Sequence, residues 1–134
     1  MPKFINTTVA DGGTDLIRTL AGTVAKVKMH VIKAYVAGDS YATVITANSC
    51  GSVDLIPGDL VQSGAAAAAR VTTVAAKGIP LTASSGAAPN LHIAIVDSVA
   101  SVVLLVTDET SDQVITAGGT FNVPAWTYTV GQPT

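Results

Sequence analysis

Histidine is the side chain best suited to acid–base catalysis near neutral pH, and this chain contains two, His30 and His92. Each lies in a segment whose pattern predicts a β-strand, and the sequence has no His-x-x-x-His or Cys-x-x-Cys spacing. It also lacks the Gly-x-Ser-x-Gly turn of many serine hydrolases and the phosphate-binding Gly-x-x-x-x-Gly-Lys motif. We therefore predict no catalytic residue, no cofactor and no enzymatic activity.

Acidic residues offer the other candidate chemistry, because Asp108, Glu109 and Asp112 are close enough in sequence to bind a hard cation. Their spacing does not match a calcium loop, which alternates oxygen donors and turns at a glycine. A solvated loop is the favoured interpretation and a calcium site the alternative. The single cysteine, Cys50, excludes an intramolecular disulfide and a thiolate-rich zinc site, and we expect it to be a small, partly buried residue. No metal site is predicted.

Large apolar side chains near the two termini are the candidates for an interface. Trp126 and Tyr128 are two residues apart, so on a strand they share one face. They anchor an interface or occupy a half-buried part of the core, and both interpretations stay open. Phe4 and Ile5 belong to an N-terminal segment with one charged side chain, Lys3, which is typical of an arm that orders against a partner. These four residues form the predicted interface.

Composition excludes several classes of protein. The chain has 134 residues, of which 49% are apolar and 12% charged, so it is long enough for one cored domain and too apolar for a disordered protein. Seven basic and nine acidic residues give a net charge of -2, which leaves no basic surplus for nucleic acid. The apolar run 99–106 is far shorter than the roughly 20 residues of a membrane-spanning helix. The N-terminus lacks the apolar core of a secretion signal, so we expect synthesis in a cytoplasm.

The elements that position these residues are predicted mainly as strands, because valine and threonine dominate and their branched side chains favour strands. The common helix formers of protein surfaces are scarce, since the chain has one glutamate and five lysines. Residues 26–31 alternate, with Val27, Met29 and Val31 on one face, and the phase changes between Val31 and Ile32. A β-bulge accounts for that change. The turn at 38–40 and the alternation over 41–47 then predict a hairpin.

The rest of the chain predicts short strands separated by turns. Pro57 and Gly58 mark a tight turn, 65–69 is either a short helix or a closely packed strand or loop, and 83–90 is an exposed loop. The pairs 91–97 with 102–107 and 114–116 with 120–123 are predicted hairpins, the first apolar on both faces as in central strands. Further strands are predicted over 52–55, 59–62, 70–75, 78–82 and 126–130.

Near the N-terminus, Thr14 is placed to cap a two-turn helix that ends at Gly22, with Leu16, Ile17 and Leu20 buried. A strand is the alternative there. Taken together, the pattern predicts an N-terminal arm over 1–13 and a single β-rich domain over 14–134. The predicted fold is mainly β, an antiparallel β-sandwich or small β-barrel-like domain with short helical turns.

The C-terminal third carries a family resemblance. The segments LHIAIVD (91–97), VLLVTDETSDQVITAG (103–118) and FNVPAW (121–126) resemble small structural proteins of tailed bacteriophages. Such proteins are often encoded near the major capsid protein and decorate the head shell, commonly as trimers at its three-fold positions. The resemblance implies adhesion without catalysis, a homotrimer, the major capsid protein as partner, and a place on the capsid surface of the virion after synthesis in the host cytoplasm. It assigns no role to any single residue.

Low charge and a positive mean hydropathy of +0.50 independently predict that part of the surface is buried in an assembly. Docking through the N-terminal arm or the apolar strand faces fits a capsid decoration, or cement, protein. One alternative is a tail, collar or fibre-associated virion protein, or a receptor-binding module whose loops at 83–90 or 108–113 contact a host glycan. Another is a small enzyme whose site is assembled between subunits.

Overall fold

The computed structural model describes residues 15–64, 71–87, 90–109 and 112–129, together with the backbone of Pro2–Ile5. Its described helical elements are a short helix α1 (Leu16–Leu20), a π-helical turn (Thr43–Ala47) and a 3-10 turn (Pro57–Asp59). The strands are β1 (Pro2–Ile5), β2 (Val27–Ile32), β3 (Ser49–Asp54), β4 (Leu60–Ser63), β5 (Val71–Val74), β6 (Lys77–Pro80), β7 (His92–Asp97), β8 (Val102–Asp108), β9 (Thr120–Val123) and β10 (Trp126–Thr129).

The largest sheet has five strands in the order β1-β8-β7-β2-β3, and every neighbouring pair is antiparallel. Met29 at its centre lies opposite Ile95 on one side and Val53 on the other. Strand β7 is buried along its whole length because both faces of the sheet are covered. This confirms the prediction that β7 and β8 are central strands.

Two smaller antiparallel sheets, β10-β5-β4 and β6-β9, are formed by the other strands. Their apolar side chains meet Val27, Met29 and Val31 in the main core, on the face that the alternation of β2 predicts. The prediction of a mainly β domain with antiparallel sheets is confirmed, and the packed sheets form a small β-sandwich-like domain. The main core also contains Ile17, Leu55, Leu60, Val74, Ile79, Ile93, Ile95, Leu105, Phe121 and Tyr128.

The β-bulge predicted between Val31 and Ile32 is present as a register shift against β3, but the predicted change of face along β2 is wrong, because the pairing of β2 with β7 continues through Ile32 without a shift. Val31 lies opposite Gly51 while Ile32 lies opposite Ser49, so the extra residue is Cys50 in strand β3. Cys50 is fully buried, and burial raises the pKa of its thiol although the charge of Lys33 acts in the opposite direction. The thiol is therefore protonated at neutral pH and has a packing role in the core.

The predicted hairpin over 41–47 is wrong, because the structure has helical turns there. Ser40 Oγ accepts a hydrogen bond from the Thr43 backbone N–H at 3.1 Å, as a capping side chain does. Tyr41, Val44 and Ile45 are spaced three and four residues apart, and on a helical turn that spacing puts them on one face. They pack against the second face of the five-stranded sheet, in a cluster with Ile32, Ala94, Val96, Val103 and Val106.

The second predicted hairpin, 114–116 with 120–123, is also wrong. Strand β9 pairs with β6 rather than with 114–116, which is not a strand. Instead Ile115 is tied to Ser85, which accepts the Ile115 N–H at its hydroxyl (3.0 Å) and donates its own N–H to the Ile115 carbonyl (3.0 Å). Ser85 is consequently buried, although the surrounding loop was predicted to be exposed.

The N-terminal region contains a helix, as one of the two alternatives predicted. Helix α1 is about two residues shorter than the two turns expected, with Ile17 buried and Leu16 and Leu20 packed at the border of the core. Thr14 lies outside the described residues, as do Met1 and 6–13 of the predicted arm and the alanine run 65–69. None of the helices within the described ranges combines the length and hydrophobicity required to cross a bilayer.

Candidate interaction site

His30 forms a hydrogen bond with a serine, the pairing that nucleophilic catalysis would use. Its Nδ1 lies 2.8 Å from Ser49 Oγ, and the Ser49 hydroxyl is also within 3.4 Å of the Gly51 carbonyl oxygen. Because that hydroxyl donates to the carbonyl, we assign the imidazole proton to Nδ1, which then donates to Ser49. This arrangement does not activate the serine oxygen, since the histidine is not its proton acceptor.

The surroundings of His30 keep it neutral. Burial, followed by the positive charge of Lys28, lowers the pKa of His30 to about 4. The ring is 6% exposed, and Nε2 finds no hydrogen-bond partner among the described residues. As the unprotonated nitrogen of a neutral ring, Nε2 is an acceptor in apolar surroundings, which costs less than burying a charge. The structure thus gives His30 a packing role at the β3 bulge.

His92 is the second histidine and belongs to a cross-strand pair at the end of the five-stranded sheet. It lies opposite Asp108 in the register, with Nε2 3.0 Å from Asp108 Oδ1. The tilted ring of Tyr35 covers it, at a centroid distance of 6.2 Å. Such a cross-strand pair stabilises strand register.

The predicted acidic loop begins at this pair. Asp108 is turned toward His92, and the Glu109 backbone N–H donates to the Leu91 carbonyl at 3.1 Å. Asp112 is exposed, while 110 and 111 lie outside the described residues. Within the described ranges, no three His, Cys, Asp or Glu side chains come together in a group that could hold a metal ion.

The two aromatic residues of the predicted interface share a face of strand β10, as their spacing predicts. Their ring centroids are 6.1 Å apart and the planes are tilted by 47°. Tyr128 is 2% exposed and packs in the main core. Burial raises its pKa to about 12, partly offset by a hydrogen bond with the Thr72 side chain. Trp126 is only partly buried and borders the same core.

The other predicted interface residues lie on strand β1, at the edge of the five-stranded sheet. Phe4 is opposite Val106 in the register and Ile5 is opposite Leu105, whereas the side chains of β1 lie outside the described part of the chain. Strand β10 is likewise an edge strand, in the three-stranded sheet. Edge strands are where a sheet most readily pairs with another chain.

A cleft of about 180 Å³ lies between the end of β8, the strand that pairs with β1, and the segment 123–127 that leads into β10. Trp126 lines one side, and Thr107, which lies opposite Pro2 of β1, lines the other. The remaining lining residues are Ile93, Asp108, Glu109, Val123, Pro124 and Thr127. The structure therefore brings Trp126 close to β8, the strand that pairs with β1. The sequence alone did not predict this proximity, because it depends on the packing of two sheets.

Comparisons of this chain with models of protein families, with curated proteins and with solved structures gave no match. Function is therefore inferred from the residues and their arrangement.

Proposed function

We propose that this protein is a structural component of a tailed-bacteriophage virion, a decoration or cement protein that binds the major capsid protein and stabilises the head shell. It acts by adhesion, without catalysis, as a homotrimer on the capsid surface after synthesis in the host cytoplasm. The resemblance of residues 91–126 to phage structural proteins is the starting point of this proposal.

The observation that carries the proposal is the combination of few charges with exposed apolar side chains. Charged residues make up 12% of the chain, against about 25% in average globular proteins. Six large hydrophobic side chains of the described ranges are more than half exposed. They are Val24, Val36, Ile56, Val61, Val99 and Val114. A surface of this kind favours burial in an assembly over dispersal as single chains.

The contact between subunits is placed at the edge strands β1 and β10. Strand β10 lines the cleft and β1 pairs with β8, which lines its other side, and together β1 and β10 carry the four residues of the predicted interface, Phe4, Ile5, Trp126 and Tyr128. Trp126 is the side chain best suited to anchor the contact, because it is partly exposed and rests on a rigid core. Tyr128 supports it from within the same strand.

Stabilisation of the shell then follows from mass action. A protein that binds the assembled shell and not its separated subunits shifts the equilibrium toward the shell. It needs only a rigid fold with surfaces complementary to the capsid protein, and no reactive group. The buried His30 and Cys50 and the cross-strand pair of His92 are compatible with such a role.

The proposal is tested by the light-scattering mass of the purified protein, alone and after mixing with phage heads that lack it. A stable trimer that sediments with the heads in many copies supports the cement function. A protein of another mass that leaves the heads unbound contradicts it, and a tail, collar, fibre or receptor-binding function then takes its place. Loss of host adsorption, rather than of heat or pressure resistance, on removal of the protein would point to receptor binding.

A further inference from the structure

The cleft between the end of β8 and the segment 123–127 combines an apolar, aromatic wall with carboxylates and hydroxyls. The segment that leads into β10 supplies the apolar side chains, which are Val123, Pro124 and Trp126. The end of β8 supplies polar ones, which are Thr107, Asp108 and Glu109. A ligand that matches this lining has one apolar and one polar side.

The size of the cleft limits what it holds. Its volume is about 180 Å³, whereas sites for drug-sized molecules have roughly 300–1,000 Å³. The cleft therefore accepts one ring or one side chain rather than an extended segment of a partner.

Trp126 gives the cleft a firm aromatic wall. Its ring is partly exposed, borders the main core and lies against Tyr128, with the ring centroids 6.1 Å apart. The face of an aromatic ring carries partial negative charge, so it attracts the weakly positive hydrogens of C–H bonds. The apolar face of a sugar ring consists of such C–H bonds and fits a wall of this kind.

The end of β8 presents acceptors for hydroxyl groups. Asp108 is exposed and Glu109 is half-buried. A carboxylate has about four lone-pair sites, so the contact of Asp108 with His92 at 3.0 Å does not exhaust its capacity. Hydrogen bonds from a hydroxyl to a carboxylate are roughly twice as strong as those between neutral groups. The hydroxyls of Thr107 and Thr127 add groups that both donate and accept.

A cationic side chain is the other small group that an indole ring and carboxylates attract. Asp108 already interacts with His92, and Glu109 has an interaction of its own, so neither is an isolated charge. A cation would also leave the threonine hydroxyls unused, whereas the several hydroxyls of a sugar engage carboxylates and threonines alike. The lining of the cleft therefore favours a neutral sugar over a cation.

We propose that the cleft binds one neutral sugar ring, with the C–H face of the sugar on Trp126 and its hydroxyls donating to Asp108 and Glu109. This binding goes beyond the attachment to the head shell proposed above and does not depend on it. It requires that the subunit contact along β1 and β10 leave the cleft open, so the light-scattering mass is recorded with every binding measurement. A single site of this size binds weakly, but many copies held on one particle bind a polysaccharide together.

The test is a titration of the purified protein with neutral hexoses and with their methyl glycosides. The fluorescence of Trp126, the one tryptophan, reports occupancy of the cleft, and ligand-observed NMR reports it for variants without that ring. We expect saturable binding of at least one sugar with a Kd on the order of 1 mM, as is ordinary for a ligand of about twelve non-hydrogen atoms. Comparison of a hexose with its methyl glycoside distinguishes a free sugar from the end of a glycan chain.

Glu109→Gln is the central variant, because it replaces a charged acceptor with a neutral one of nearly the same shape. We expect it to weaken sugar binding about fivefold, and Trp126→Ala to weaken it at least tenfold. Asp112→Asn is the matched control, since it removes the same charge from the same loop but does not line the cleft. It should bind sugar as the wild type does, and the melting temperature of each variant shows that it is folded.

Failure of every hexose and glycoside to bind at saturating concentrations would overturn the sugar site. Equal effects of Glu109→Gln and Asp112→Asn would also overturn it, since the sugar would then bind outside the cleft. Preferential binding of arginine methyl ester, with an affinity that falls as the salt concentration rises, would overturn it in favour of a cationic partner. Because these measurements use no phage heads, their outcome is separate from that of the cement function.

Discussion

Replacing Gly51 with alanine is the most direct probe of how the two layers of the fold are held together. Gly51 lies in β3 and forms an isolated bridge with Leu81, just beyond β6. A Cβ atom added at Gly51 would lie 2.2 Å from the Pro80 carbonyl oxygen and 3.2 Å from Ile79 Cγ2. The nearer atom belongs to the backbone, so no change of side-chain rotamer relieves the clash. The two strands must move apart.

The size of the effect follows from this geometry. Van der Waals contact of carbon with its neighbours requires separations of about 3.5 Å, so β6 must move by roughly 1 Å. Overpacking of this kind costs about 1–3 kcal/mol. The movement also stretches the hydrogen bonds that the Cys50 carbonyl accepts from Thr82 (2.8 Å) and Ala83 (3.0 Å), each worth about 1 kcal/mol. We expect Gly51→Ala to lose about 3 kcal/mol out of a total stability of roughly 5–15 kcal/mol.

Urea unfolding measures this loss, with the fluorescence of Trp126, the one tryptophan, as the signal. Gly58→Ala is the matched control, since an added Cβ there meets no atom within 4 Å and Gly58 does not have a positive φ. We expect the control to stay within about 0.5 kcal/mol of the wild type. A Gly51→Ala protein as stable as the control would refute the close approach of β3 to β6.

Three further substitutions test other parts of the account. The pKa of His30 is about 4 in the folded protein and 6.5 in the unfolded chain. As the pH falls, the unfolded chain therefore takes up the proton before the folded protein does. The free energy of unfolding consequently falls by about 3 kcal/mol between pH 6.5 and pH 4. The variant His30→Gln lacks this titrating group, so its free energy of unfolding should fall by about 3 kcal/mol less than that of the wild type over the same pH range. A pH profile of stability identical to that of the wild type would contradict a neutral buried imidazole. Asp97→Ala removes the acceptor of two backbone N–H groups and should lower stability by about 2 kcal/mol in urea unfolding, with Asp97→Asn intermediate; equal stability of all three proteins would argue against its role in the turn. If Trp126 anchors the proposed homotrimer, Trp126→Ala gives a light-scattering mass lower than that of the wild type at temperatures where the variant is still folded, whereas an unchanged mass would count against Trp126 as the anchor of the subunit contact.

Sequence periodicity predicted the strands whose side chains simply alternate or are apolar throughout. Strand β2, the central pair β7 and β8, and the turn at Pro57 were all predicted, because local pattern and burial agree there. The bulge beside Val31 was predicted from a change of phase along β2, whereas its extra residue is Cys50 in β3. The segment 41–47 was mispredicted because valine, isoleucine and threonine suit a strand equally well. The spacing of Tyr41, Val44 and Ile45 was the signal that favoured a helical turn.

Strand pairing was harder to predict than strand position. The turn at 117–119 is present, but β9 pairs with β6 from a distant part of the chain, because Ile115 is bound to Ser85 instead of to a neighbouring strand. Local turn signals carry no information about such long-range partners.

The candidate site likewise contains features that local sequence predicts and features that depend on the packing of distant segments. The shared face of Trp126 and Tyr128 follows from their spacing, and the structure has their rings 6.1 Å apart. The burial of His30 did not follow, because Lys28 on the same face of β2 suggested solvent, and the helical turns that cover this face were not predicted.

The central claim is that this protein coats a phage head, and its copy number tests that claim most directly. Quantitative mass spectrometry of purified particles would give the ratio of this chain to the major capsid protein. A head decoration protein is expected on the order of hundreds of copies per particle, in a constant ratio to the symmetric shell. A few copies, or a few dozen, would contradict the claim and place the protein in the tail, collar or fibres.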